Sequence, residues 1–249
     1  MKKSLFSTAI VAVLVASSGA AFGQVLTSDN FNYVGALTDN GWVAHSGAGN
    51  KVVMADGAIA TLEQSGGSGE DVNRSFPALG AADTVFAGFD VRIDTADLSV
   101  LDGNGSYFAH FKDAAFAFRG RTGVVQGPGG RGWGLAINAD NSNLGAGATW
   151  PSDLMFDTWY RVVTSWNAAT GESELWLNPT VQTDPSITHT GGNMGDLIEG
   201  FALRQSNAYT GFQGIDNVFV GHTFGDVVVP EPASLMLLGL AGLALLRRR

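Results

Sequence analysis

The sequence predicts an all-β protein, an antiparallel two-sheet jelly-roll sandwich, and three observations carry that prediction. Short stretches with period-2 alternation recur along the chain, separated by Gly, Asp and Asn turns. The 249 residues include 34 glycines, which suits a turn-rich β protein better than a helical one. No stretch between the two ends shows the 3.6-residue periodicity of an amphipathic helix.

The elements follow in order. Leu26 to Val34 alternates and runs into a Gly turn, and Gly41-Trp42 opens a short segment to Ser46. Lys51 to Ala55 and Ala58 to Leu62 flank Asp56-Gly57, a strong hairpin signal. Gln64 to Asp71 reads as a flexible loop and Val72 to Phe76 as a short strand. Thr84 to Asp94 is a long strand whose Val85, Ala87, Phe89, Val91 and Ile93 form the core face. Tyr107 to Phe111 and Ala115 to Arg119 are strands, Val125 to Arg131 a glycine loop, Trp133 to Asn138 a strand and Ala139 to Asn143 a turn. Trp159 to Asn167 and Glu172 to Asn178 form a hairpin around Ala169-Thr170-Gly171. In it Leu175 and Leu177 share one face, with Glu174 and Trp176 on the other. Phe201 to Gln205 and Ile215 to Val220 close the domain.

The two ends are different in kind. Lys2 and Lys3 precede the apolar run Leu5 to Ala16, and Ala21-Phe22-Gly23 supplies small residues where signal peptidase requires them. Residues 1–23 therefore read as a signal peptide cleaved between Gly23 and Gln24. At the other end Pro230, Glu231 and Pro232 precede an uncharged Leu/Ala/Gly stretch, 233–246, stopped by Arg247, Arg248 and Arg249. Fourteen helical residues span about 21 Å against about 30 Å of hydrocarbon, a marginal transmembrane helix. The arginines place its end in the cytoplasm. Alternatives for this segment are an ordinary tail anchor or an apolar tail packed on the domain, the latter opposed by the arginines. The organisation is thus 1–23 signal, 24–226 sandwich, 227–249 membrane-directed tail.

Of the 14 Lys+Arg, five lie in the ends, and of the 23 Asp+Glu only Glu231 does, leaving 9 and 22 and a net charge near −13 for the exported body. Such a body is repelled by nucleic acid and anionic lipid. The chain has no cysteine, which excludes disulfides, thiol catalysis and Cys-ligated metals.

The tail, Val-Pro-Glu-Pro-Ala-Ser followed by a short apolar span and an Arg run, resembles the PEP-CTERM sorting signal of Gram-negative bacteria. The resemblance implies recognition and cleavage by an exosortase, a membrane cysteine protease-transpeptidase, after transient anchoring in the inner membrane. It implies delivery to the cell surface or extracellular matrix. A second resemblance covers most of 25–224. Trp159-Tyr160-Arg161-Val162-Val163, a Gly turn and Glu174-Leu175-Trp176-Leu177-Asn178 are similar to the central hairpin of laminin-G-like and concanavalin A-like lectin/glucanase jelly rolls. Asp29-Asn30-Phe31-Asn32-Tyr33 with Gly41-Trp42, and Gly214-Ile215-Asp216-Asn217-Val218, fit the same frame, in which first and last strands pair.

Glucanases of that fold use a Glu-x-Asp-x-x-Glu strand, which is absent. Glu172 and Glu174 share a strand face with Trp176 next along it, an acidic pair beside an indole that a sugar could contact, but Glu172 abuts the turn and a solvated face is favoured. Asp102, Asn104, Ser106 and Asp113 fall at positions 1, 3, 5 and 12 of a calcium-loop pattern, with Tyr107 where glycine is required, so a turn is favoured there too. Structural calcium at Asp83, Asp90 or Asp216 is compatible with the fold resemblance, and no other cofactor is expected. His45, His110, His189 and His222 show no metal spacing, and His110 reads as a hydrogen-bonded structural residue. No Gly-x-Ser-x-Gly elbow or phosphate loop occurs. Which of Trp42, Trp133, Trp150, Trp159, Trp166 and Trp176 face water is open. The expectation is a non-catalytic surface protein, structural or carrying an extracellular polysaccharide. The alternative is a glycoside hydrolase or lyase with an unrecognised site.

Overall fold

The computed structural model describes residues 24–67, 69–95, 97–98, 101–206 and 208–228. Gly23, the sorting residues Pro230, Glu231 and Pro232, the span 233–246 and Arg247, Arg248 and Arg249 lie outside the described residues. The strands, in order, are β1 (Val25–Asp29), β2 (Val34–Ala36), β3 (Val43–Ser46), β4 (Met54–Asp56), β5 (Ala60–Glu63), β6 (Asp71–Ser75), β7 (Thr84–Ile93) and β8 (Ser106–Lys112). There follow β9 (Phe118–Gln126), β10 (Trp133–Asn138), β11 (Ala148–Thr149), β12 (Tyr160–Asn167), β13 (Glu172–Leu177), β14 (Ser186–His189), β15 (Gly200–Leu203) and β16 (Phe212–Gly221). A single α-helical turn, α1 (Phe224–Val227), ends the described chain.

The strands form two antiparallel sheets. The nine-stranded sheet runs β14-β13-β12-β7-β16-β5-β4-β2, with β1 also on β16; the seven-stranded sheet runs β11-β10-β9-β8-β15-β6-β3. First and last strands pair as the fold resemblance implied, β1 lying along Val218 to Gly221 and β5 along Phe212 to Ile215 of the same β16 edge. The core lies between the sheets. The alternating face of β7 is fully buried, and Phe89 meets Phe108 and Phe201 of the opposite sheet at ring distances of 6.0 and 5.8 Å.

Local chemistry explains where the sequence reading was too simple. The alternation from Leu26 to Val34 breaks at Phe31, whose φ is 52°, because the chain wraps around the Asp29 carboxylate. That carboxylate accepts from Phe31 N at 2.9 Å, Tyr33 OH at 3.0 Å, Trp42 Nε1 at 2.8 Å and Arg74 Nη1 at 2.7 Å. The motif joining Asp29 to Trp42 is thus a hydrogen-bonded corner. Burial, then Asp29, pushes the Tyr33 phenol far above its ordinary value.

The segment from Gln64 to Asp71 is a loop, but a tethered one. Gln64 is fully buried, and its amide donates to Arg204 O and Gln213 Oε1 at 3.1 Å and accepts from Ser206 Oγ at 2.7 Å. The strand expected to begin at Ala115 begins at Phe118, since Asp113 closes a turn by accepting from Ala117 N at 2.6 Å. It also continues to Gln126, into the region read as a loop. The hairpins at Asp56-Gly57 and Ala169-Gly171 and the strand Trp133–Asn138 stand where the sequence places them.

Candidate functional site: the outer face of the seven-stranded sheet

Two irregularities in the β8–β9 ladder build the site. Tyr107 pairs with Gly123 but Ala109 pairs with Thr122, so β8 carries one extra residue at Phe108. Ala109 faces Thr122 and Phe111 faces Arg119, so β9 carries one extra at Gly120. Gly120 has φ 56°, the left-handed conformation such a bulge requires, and a Cβ there would sit 3.1 Å from the Phe111 ring. Each bulge brings residues three apart onto one face. Tyr107 joins His110, and Phe118 joins Arg121, on the side away from the core.

Neighbouring strands complete the cluster. In the row Val43–Asn73–Ala202–His110 across β3, β6, β15 and β8, the small Ala202 leaves room for His45, itself at a bulge on β3. His45 and His110 meet edge to face with centroids 5.9 Å apart. Phe118 packs on His110 at 4.2 Å and Tyr107 on its other side at 5.5 Å. The cations lie on these rings. Arg204 is 4.3 Å and Arg121 5.3 Å from the Tyr107 centroid, Arg121 5.5 Å from Phe118, and the Lys112 ammonium 4.9 Å from Phe116, all within cation–π range.

His110 is 1% exposed, and neither of its ring nitrogens has a hydrogen-bond partner among the described residues; the His45 ring lies against the Asn73 side chain. Burial pushes His110 well below the ordinary imidazole value, and the charges of His45, Arg121, Arg204 and Lys112 push it further. Burial lowers His45 as well, against the opposing pull of Asp71. Both rings are therefore neutral at neutral pH. Burial lowers Arg121 too, offset by Tyr107 and Asp140, but a guanidinium stays charged. Beside Tyr107 and Arg204 opens a pocket of about 420 Å³, whose other lining includes Asp102, Asn104, Ser142 and Asn143, a size typical of ligand sites.

The residues singled out in the sequence lie elsewhere. Glu172, Glu174 and Trp176 share the outer face of β13 in the nine-stranded sheet, and Leu175 and Leu177 pack on the core. Trp176, however, is 1% exposed and unavailable to stack on a sugar. Phe224 of α1 covers it at 5.1 Å, Phe86 flanks it, and its Nε1 donates to Gln182 O at 3.1 Å. Glu174 accepts from Ser186 Oγ at 2.5 Å. The sequence reading of β13 missed this lid because α1 arrives from some fifty positions downstream.

The calcium-loop residues disperse. Asp102 accepts from Asn104 N at 2.9 Å, Ser106 bonds Ser206 at 2.9 Å, and Asp113 closes the turn at the other end of β8. Asp83 accepts from Gly80 N at 2.7 Å. Asp90 and Asp216 are neighbours, but Arg161 and Asn217 bond Asp90 at 3.2 and 2.8 Å. No group of three His, Asp or Glu fit to hold a metal occurs among the described residues. His110 is structural in position but not hydrogen-bonded, correcting the expectation. Trp42, Trp133 and Trp166 are core, and Trp159 is 40% exposed. The signal that could have found the site was Gly120 inside an otherwise strand-like run, which marks a bulge.

Residues 228–249 match the family described as PEP-CTERM protein-sorting motif, so the chain carries the sorting motif that marks bacterial proteins for export and membrane sorting by an exosortase. The described domain is an all-β, antiparallel two-sheet jelly-roll sandwich. It is similar to the carbohydrate esterase vb_24B_21 from Shiga toxin-encoding bacteriophage phi24B, at 13% identity and TM-score 0.54, over 81% of this chain and 99% of that one. It is similar to the alginate lyase Aly36B, at 16% and 0.51, over 81% and 98%. It is also similar to basic winged bean lectin, at 14% and 0.48, over 78% and 97%. At these identities the shared property is the fold. No curated protein matches the chain. Among the described residues no helix is long and apolar enough to cross a membrane.

Proposed function

We propose that this is an exported surface protein that holds an extracellular polysaccharide on the outer face of its seven-stranded sheet. Signal peptidase removes residues 1–23, the tail anchors the chain in the inner membrane, and the exosortase-type enzyme releases it to the cell surface or matrix. The observation that carries the ligand face is a polar pocket lined by Tyr107 and Arg204, with Arg121 against the same Tyr107 ring and His45 and His110 packed beneath. Aromatic rings and fixed polar groups on a sheet are what sugar rings and hydroxyls require.

The proposed role is binding without hydrolysis. A retaining glycosidase needs two carboxyl groups about 5–5.5 Å apart, and the face is built instead from cations, rings and neutral imidazoles. One observation favours a second reading, a lyase: Tyr107 lies beside two guanidiniums at the mouth of the pocket. Such a group could move a proton next to a sugar carboxylate, and a protein of this fold is an alginate lyase. A glycan array followed by product analysis tests both readings. Binding with the glycan recovered intact supports the first. Unsaturated sugar products, seen by the ultraviolet absorbance of their new double bond, support the second. Absence of any glycan binding would leave a matrix protein and remove the ligand face.

A further inference from the structure

We infer that the polysaccharide held on this face is acidic, its charge carried by carboxylate or sulfate groups; this rests on the carbohydrate reading above. The argument starts from how the exported body uses its cations. It has nine against 22 carboxylates, so each cation has acidic partners to spare. Five take them: Lys51 with Glu63, Arg74 with Asp29, Arg92 with Asp94, Arg119 with Asp140 and Asp196, and Arg161 with Asp90. Lys112, Arg121, Arg131 and Arg204 form no such pair among the described residues. Three of these four lie on the same sheet face, each over an aromatic ring instead.

The carboxylates bordering the face, Asp71, Asp102 and Asp140, are each held by hydrogen bonds, and none forms a direct ion pair with Lys112, Arg121 or Arg204 among the described residues. Asp140 is bonded by Arg119 at 2.7 Å, Asp71 by Ser46 Oγ at 2.7 Å and Gln205 N at 2.9 Å, and Asp102 by Asn104 N at 2.9 Å. The face thus gathers three cations without a direct ion pair on a body of charge near −13. Lys112 and His110, 6% and 1% exposed, are desolvated there. Arg121 Nε and the His110 nitrogens are buried without partners, while Arg121 Nη1 donates to Asp140 O and Arg204 Nη1 to Tyr107 O. Buried polar groups left unpaired are costly. The imidazole nitrogens are too buried for a sugar to reach, but a neutral sugar would leave the half-buried Arg121 and Arg204 without a charged group in direct contact. An acidic sugar supplies that group, and guanidinium forks match planar carboxylates or sulfates by paired hydrogen bonds.

The test measures binding of the full-length protein in nonionic detergent to a polyuronate, a sulfated polysaccharide and a neutral β-glucan, at low and high salt. The inference expects binding to one or both acidic polymers, weakened by salt. Arg204→Gln and Arg121→Gln should each weaken it on the order of tenfold, because each removes a charge-assisted contact. Arg204→Lys should recover part of the loss, which separates lost charge from lost folding. Arg131→Gln, in the loop between β9 and β10, should leave binding unchanged. The acidic polymer that binds identifies carboxylate or sulfate as the source of charge. Salt-insensitive binding to the neutral glucan alone would overturn the inference and leave the carbohydrate reading standing. Binding to none of the three would overturn the carbohydrate reading itself.

Discussion

The two outer faces of the sandwich treat their polar groups in opposite ways. On the nine-stranded sheet Arg92 and Arg161 are ion-paired and the aromatic cluster around Trp176 is covered. Arg161 donates to Asp90 and to the carbonyls of Asn217 and Val227, and α1 lays Phe224 and Val227 over Phe86, Val163 and Trp176. Gly88 makes the approach feasible, since a Cβ there would collide with Val227 O. On the outer face of the seven-stranded sheet Lys112, Arg121 and Arg204 sit on rings without a direct ion pair, and the His110 nitrogens lack hydrogen bonds. A face covered by its own chain is finished; a face with desolvated, unpartnered groups is organised for something else. The sorting motif begins at residue 228, directly after α1, so the covered face is also the one from which the tail departs.

Removing the cover should have the largest effect. Phe224→Ala should cost about 3 kcal/mol, in the range for truncating a buried phenylalanine, and should expose Trp176. Denaturant unfolding together with a red shift in tryptophan fluorescence checks this; an unchanged midpoint would show that α1 is not a lid. On the other face Gly120→Ala forces a side chain into a left-handed position against Phe111. A loss of about 1–2 kcal/mol is expected, with weaker ligand binding because Phe118 and Arg121 lose their common direction. Binding unchanged in a destabilised Gly120→Ala would detach the bulge from the site.

The next contrast is in pH. His45 and His110 have folded-state values below their unfolded ones, so the unfolded chain binds more protons. Their contribution to stability is present above the unfolded value near 6.5 and is lost as pH falls toward the folded values. The melting temperature should therefore drop between about pH 7 and about pH 5, and His45→Gln with His110→Gln should flatten that slope. Asp71, raised by burial, acts in the opposite sense at lower pH. The smallest effect is expected at Glu174→Gln. It removes one accepting carboxylate oxygen for Ser186 on a partly exposed strand and should shift stability by less than about 0.5 kcal/mol, with ligand binding unaltered.

These contrasts mark what could be seen in the residues alone. The core face of β7 was legible because strict alternation survives wherever a strand runs without bulges. So were the β12–β13 hairpin and the pairing of β1 with β16, the first from turn chemistry and the second from the fold resemblance. Trp176 stands on the face the sequence predicts, but its burial was not legible because it is decided by α1, which is local to neither β13 nor its hairpin. His45 and His110 looked scattered because four strands of pairing register bring them together. Tyr107 and Arg121 were hidden because two bulges break the period that assigns a residue to a face. The tail's resemblance to the sorting motif was legible in full, since charge, apolar length and proline placement are all local.

The central claim is that the seven-stranded sheet presents the ligand face. Hydrogen exchange with and without bound acidic polysaccharide tests it most directly. The account predicts slowed exchange at β8, β9 and the end of β15, centred on Tyr107, His110, Arg121 and Arg204, with β13 and α1 unchanged. Protection confined to β12, β13 and α1 would contradict it.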